Sequence, residues 1–316
     1  MICRYEYLSK HAHIFQTMTG VTVALFQELE SDMEGRIIEA EANRLKRTKR
    51  QRAEGGGRTP ELTMRNQLLL SVIWLRRYPT HEVLGYLFGV SDSTVSRIKD
   101  RLLPLLAASG RDTMRMPDPG RKHRRTLDEL LGETPELAVI IDTFEQRVQR
   151  HRDPQTADKY YSGKKKQHTL KSQVAIDECT GLFVDVSASV PGPTADITLL
   201  KQSQLLERLP PGVGALGDLG YVGIDKLHPT GNAAAPRRKP RSQPRPPEDI
   251  AFNTAFSRRR IAVEHAIGRA RCFVSLTQMD RHHRRAHHDR VTAVCGLVNR
   301  RLAALLALRF PDLPLC

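Results

Sequence analysis

Apolar positions recur at helical spacing through the first third of the chain and change period after about residue 125. In 1–43, Phe15, Val21, Val23, Leu25, Phe26 and Leu29 predict a helical piece. Between 61 and 108 the pattern is helical throughout, beginning with Leu62, Leu69, Val72, Ile73 and Leu75 on one amphipathic helix. Thr80 reads as an N-cap, whose hydroxyl takes an otherwise unpaired amide of the first turn, with Val83, Leu84 and Leu87 on one face. Gly89 ends that short helix, because glycine turns left-handed at little cost. Ser91 or Asp92 caps the next, with Val95, Ile98, Leu102 and Leu103 inward and Ser93, Thr94, Ser96, Arg97, Lys99 and Arg101 outward.

The second part alternates strands with helices. The run LAVII at 137–141 suits a strand buried on both faces and ends at Asp142. Segments 170–176 and 182–189 flank the turn 177–181, a hairpin with Gly181 left-handed. Residues 196–209 have near-helical spacing, 213–216 is a short apolar run stopping before Asp218, and helices are expected over 255–273 and 289–308. The fold class is therefore α/β, a mixed sheet with flanking helices, preceded by an all-α domain.

Composition refines this picture. Hydrophobic residues are 40% of the 316, enough for a core, and no apolar run approaches the length of a membrane span. Lysine and arginine number 50 against 35 acids, a net charge of +15 that favours polyanionic partners. Three basic stretches, 44–58, 111–125 and 236–247, are rich in glycine or proline and read as two linkers and a loop. They divide the chain into a helical region with basic linker (1–58), an all-α DNA-binding domain (59–110), a second basic linker (111–133) and an α/β domain (134–310). Five scattered cysteines without a CxxC pair argue against a disulfide framework or structural zinc. With no leader pattern near His11 and His13, a cytoplasmic, nucleoid-associated location is expected.

A short helix, a glycine turn and a helix with polar and basic residues outward is the pattern of a helix-turn-helix. Ser93, Thr94 and Arg97 would face base edges or phosphates, and Lys99 and Arg101 the backbone; an ordinary helical hairpin is the alternative. His282, His283, His287 and His288 stand among Arg281, Arg284, Arg285 and Arg290, a basic surface facing DNA rather than a zinc site. Tyr160 and Tyr161 suit loop packing or base stacking.

The chemistry is carried by acids. Asp142 and Asp218 each end a strand, where ligands gather in open α/β sheets. Glu264 lies on a helix with Arg260 four residues before and Arg271 seven after, one stripe that Gly268 leaves uncrowded. Each residue alone suits a turn or a surface salt bridge. Converging, three carboxylates in a basic protein would cage hard divalent cations beside DNA.

These motifs resemble the DDE-type transposases of bacterial insertion sequences, specifically the insertion sequence five family and its Harbinger-like relatives. The carriers are LGYLFGVSDSTVSRI, VIIDTF with Asp142, KKKQHTLKSQVAID, PGPTADITLL with Asp196, GDLGYVGI with Asp218 and RRRIAVEHAIGRAR with Glu264. Their order and separations, seventy-six residues and then forty-six between the acids, make the resemblance specific and extend it over about residues 15–306. It implies a ribonuclease-H-like fold, with Asp142, Asp218 and Glu264 as catalytic residues holding two Mg²⁺ ions, for which Mn²⁺ substitutes. The family's tail motif has tyrosine, arginine, glutamate and lysine; here the positions are Ser257, Arg260, Glu264 and Arg271, so the tyrosine is missing and arginine replaces lysine. Arg271 would still grip a phosphate, bidentately. Asp196 is a helix cap or an accessory near the metals, and His168 and Lys171 would touch DNA at the rim or stand at a solvated strand edge.

The expected function is binding of terminal inverted repeats in double-stranded DNA, Mg²⁺-dependent strand cleavage and 3′-hydroxyl transfer to target DNA. Pairing two ends implies a homodimer or larger. No phosphate loop is present, so ATP is not implied. The alternatives are a non-catalytic DNA-binding regulator, a degenerate transposase, or a nuclease without strand transfer.

Overall fold

Thr80 and Ser91 start consecutive helices, their hydroxyls accepting the amides of Val83 and Thr94. Between those helices Gly89 turns left-handed at φ 64°. Gly85 has no room for a side chain, since a Cβ there would stand 2.6 Å from the Val90 carbonyl. The computed structural model describes residues 3–46, 60–119 and 137–310. Six helices come first: α1 (Tyr5–Leu8), α2 (Ala12–Thr19), α3 (Val23–Lys46), α4 (Met64–Arg77), α5 (His81–Phe88) and α6 (Asp92–Asp112). Leu62 precedes α4, and on α5 Leu84 and Phe88 are buried while Val83 faces out. The first basic stretch opens inside α3; the rest of it, and 120–133 of the second, lie outside the described residues.

The α/β part contains β1 (Leu137–Arg147), α7 (Pro154–Tyr160), β2 (Tyr161–Ser162), β3 (Gln167–Asp177), β4 (Phe183–Val186), β5 (Val190–Pro191), α8 (Asp196–Ser203), β6 (Val213–Leu216), α9 (Ile224–Leu227), β7 (Ala233–Ala234), α10 (Pro247–Arg271) and α11 (His287–Arg309). Strand β1 is central, antiparallel to β3 with Asp142 opposite Val174, and parallel to β6 with Ile140 opposite Leu216. β4 and β5 add to β3, and β7 to β6. The β3–β4 hairpin turns through Gly181 at φ 69°. This is a ribonuclease-H-like mixed sheet with flanking helices.

Alternation along β1 divides the interior. Ala138, Ile140 and Phe144 pack with Phe256 of α10 and Val294 of α11, while Leu137, Val139 and Ile141 pack with Leu200 of α8 and Ile224 of α9. The first core continues into the helical region through Trp74, Leu102 and Leu106. Along that seam α6 meets α11 so closely at Gly110 and Gly296 that neither could carry a Cβ without displacing backbone. By length and composition α11 could cross a bilayer; here it is a core helix, buried from 291 to 299.

Several element boundaries differ from expectation. Asp142 does not end its strand, because β1 stays paired with β3 through Arg147. The helix over 196–209 breaks at Gln204, which is left-handed at φ 52°, and resumes as a 3₁₀ turn. α10 begins at Pro247, eight residues early, because proline at the first position and Glu248 and Asp249 in the first turn favour a helix start. The basic loop before it is anchored, with Arg237 paired to Asp249 at 2.9 Å and lying over the Phe252 ring.

Candidate active site and DNA-binding surface

At the end of the buried run of β1, Asp142 is partly exposed and its carboxylate receives the Thr143 amide at 2.7 Å and Arg260 at 3.3 Å. Next to it the Thr143 hydroxyl donates to Asp196 at 3.0 Å, and Lys171, reaching over from β3, donates to the same Asp196 oxygen at 2.8 Å. Asp218, after β6, accepts the Gly220 amide at 2.9 Å. A Cβ on Gly220 would stand 2.5 Å from one Asp196 oxygen and 3.0 Å from Asp218, so glycine is what lets these two acids share the turn.

The three aspartates feel one another. Burial pushes the Asp142 carboxyl up to about 6; Asp218 and Asp196 add to the rise, and the Thr143 amide and Arg260 oppose it. Tyr221, buried behind them with its hydroxyl 3.3 Å from Gln173, is raised well above the ordinary phenol range, first by burial and then by Asp196, Asp142 and Asp218. Tyr221 and Thr143 are site residues that sequence reasoning missed. Their only signals were their positions directly after Asp142 and three residues after Asp218.

Several expectations are corrected here. Glu264 is exposed on α10, one turn after Arg260, and among the described residues no group of three or more acids, histidines and cysteines, the three aspartates included, is close enough to hold a metal ion. Carboxylates at contact distance repel, and the Arg260 guanidinium, one turn before Glu264, takes the place beside Asp142. Arg271 is exposed at the end of α10, about 10 Å along the helix from Glu264. Asp196 does not cap α8; as its first residue it makes no cap bond and turns into the acid cluster. Lys171 is no rim residue, being only 8% exposed and tied to Asp196 and the Thr194 carbonyl. His168 lies beyond the register partner of Arg147, at the C-terminal end of β1 and six residues along β3 from the partner of Asp142.

On α6, Ser93 and Arg97 are exposed and Thr94 is partly so, with Arg97 donating to the Ser93 hydroxyl at 3.2 Å. Arg101 is exposed as well, with its guanidinium on Gln67. Lys99 is the exception. It is 6% exposed, 3.2 Å from His282 Nδ1 and over the Trp74 ring, because it falls on the inward stripe with Val95 and Leu102.

Two of the four clustered histidines do not face outward. His282 stacks on His81 and meets the Trp74 and Tyr78 rings edge-on. His287 is fully buried between Ser189 at 2.7 Å and Gln146 at 2.9 Å. Burial lowers both to about 3, with nearby cations assisting. Arg290, expected outside, is fully buried and pairs with Asp280 at 2.6 Å. His282 and Arg281 join this segment to α4 and α5, and His287 joins it to β1, while His283 and Arg285 stay exposed.

A helix-turn-helix packed against a ribonuclease-H-like sheet with an acid on its central strand and another just after β6 defines the class, and comparison with known proteins agrees. Residues 141–299 match the DDE superfamily endonucleases, and residues 60–112 match the helix-turn-helix of DDE superfamily endonucleases. The chain belongs to the DDE superfamily endonucleases. A probable transposase for insertion sequence element IS702 from Microchaete diplosiphon is 28% identical over 293 residues, covering 92% of this chain and 95% of that protein. No solved structure matches the chain.

Proposed function

We propose that this protein is an insertion-sequence transposase that binds the element's terminal inverted repeats, cuts DNA there with a divalent cation and joins the end to target DNA. The observation that carries the reading is Asp142, a partly buried carboxyl in the middle of β1, raised to about 6 with Asp218 and Asp196 near it. Such a concentration of like charge is costly unless a cation is to be held.

The donor set fits a hard divalent ion, since Asp142, Asp218 and Asp196 offer only oxygen and no cysteine or histidine lies among them. Mg²⁺ is the expected ion, two per site, with Mn²⁺ as substitute. Bound there, it would neutralise charge at the scissile phosphate and lower the pKa of the attacking hydroxyl. Asp142, Asp218 and Glu264 are assigned as the ligands, Glu264 being one turn beyond Arg260 on the same face of α10. Arg260 holds Asp142 and would approach a phosphate, while Lys171 fixes Asp196. Water attacks the phosphorus, the P–O3′ bond breaks and a 3′-hydroxyl leaves. That hydroxyl then attacks target phosphorus and displaces the target's own 3′-oxygen. One phosphodiester is exchanged for another, so no nucleotide hydrolysis is required. Ser93, Thr94 and Arg97 face the DNA major groove, Arg101 meets the backbone and Arg271 a phosphate. Holding two ends together calls for a homodimer or larger.

A non-catalytic DNA-binding regulator is favoured by one feature, the outward Glu264. Labelled element ends incubated with Mg²⁺ or with EDTA separate the readings. Transposition chemistry gives metal-dependent nicks and joined products, a plain nuclease gives nicks alone, and a regulator gives binding only.

A further inference from the structure

Five residues beyond Asp142, the C-terminal end of β1 carries a second feature. A cleft of about 300 Å³ there is lined by Arg147, Arg150, Lys166 and His168, with Tyr161 and Met279 beside them. Among the described residues no aspartate or glutamate lines it. Arg147, Arg150 and Lys166 are exposed, and Tyr161 is 44% exposed.

These cations come from separate segments that paired backbone brings together. The Val148 amide donates to the His168 carbonyl at 2.9 Å, and Val148 bridges to Asp280, which fixes the end of β1. Tyr161 pairs with His168 across β2 and β3, their rings edge-on at 5.5 Å, and Lys166 takes a left-handed turn at φ 53° between the strands. Behind the cleft, Arg284 donates to the Gln149 carbonyl and covers the Tyr160 ring at 3.9 Å. The nearest carboxylate along β1, Glu145, accepts the Thr169 hydroxyl at 2.6 Å.

We propose that this cleft grips the phosphodiester backbone of the DNA flanking the cut, about 17 Å from the acids. The inference rests on the acid cluster being where cutting occurs. Arg147 follows Asp142 by five residues on one strand, which spans about 17 Å at ~3.4 Å per residue. Arginine and lysine at such a place take phosphate without reading sequence. The grip would hold the strand in line at the acids, while the helix-turn-helix chooses the site.

The test uses the full chain and a duplex carrying one element end. Replacing Arg147→Ala, Arg150→Ala and Lys166→Ala together should make the slope of log K against log salt shallower by roughly 2.7, since each phosphate contact contributes about 0.9. In a scan of the phosphates flanking the mapped cut, a neutral methylphosphonate at a position about 17 Å from it should weaken wild-type binding and leave the triple variant unaffected. Arg97→Ala should lose affinity while keeping the methylphosphonate effect. An unchanged slope in a folded triple variant overturns the proposal. So does a wild-type methylphosphonate scan with no effect at that position, which decides the matter even if the variant fails to fold. The salt slope requires no cleavage, so if Asp142→Asn still cuts DNA and the acid assignment falls, the cleft's affinity for the strand is judged separately.

Discussion

Asp142 sits between opposing forces: burial and two aspartates favour its neutral form, and Arg260 and an amide favour its charge. Because its folded pKa is about 6 and its unfolded value 3.8, the native state binds the extra proton between those limits. Native stability without metal should therefore fall as pH rises from about 4 to 6, by about 3 kcal/mol from this group, at 1.36 kcal/mol per unit. Asp142→Asn should remove that component. Thermal melts in EDTA of both proteins across pH 4–7 check it, and identical pH profiles would refute it. Metal binding needs the carboxylate form, so Mg²⁺ affinity should climb through about pH 6. Asp142 and Asp218 were legible in the sequence because each directly follows a buried apolar run, although β1 continues past Asp142 to Arg147. The Lys171–Asp196 pair was not, since it joins β3 to α8 across a register that no local pattern reveals.

At the level of elements, the seam between the helical region and the sheet uses side chains that look like surface residues in the sequence. Lys99 is four residues after Val95 and three before Leu102, so its place on the buried stripe could have been read from spacing; its charge argued the other way. His282 and His287 are neutral in the fold at about 3. Facing them are Lys99, Arg290, His81, His288 and Asp280. Their contribution is complete above the unfolded value of 6.5 and is lost as pH falls toward about 3. His287→Gln, which keeps a polar partner for Ser189 and Gln146, should lose less stability between pH 7 and 5 than wild type, as urea midpoints will show. The closest contact in the seam, Gly110 against Gly296, admits no methyl. Gly296→Ala should cost about 1–3 kcal/mol and lower the melting temperature; an unchanged Tm would mean that the helices separate freely.

For the whole molecule, the +15 charge and the helix-turn-helix turn were legible from composition and caps, and the mixed α/β class followed from the alternation of strands and helices. Which distant acids lie near one another was not legible from any local pattern, because convergence is a tertiary property; Asp142, Asp196 and Asp218 act on one another, and Glu264 stands exposed one turn from the Arg260 that pairs with Asp142. The decisive measurement is the rate of Mg²⁺-dependent nicking of a labelled element end by Asp142→Asn, Asp218→Asn and Glu264→Gln, each at saturating protein. All three should fall on the order of a thousandfold, about 4 kcal/mol of barrier, with DNA affinity retained. Wild-type nicking by any one of them, above all by Glu264→Gln, would contradict the assigned site.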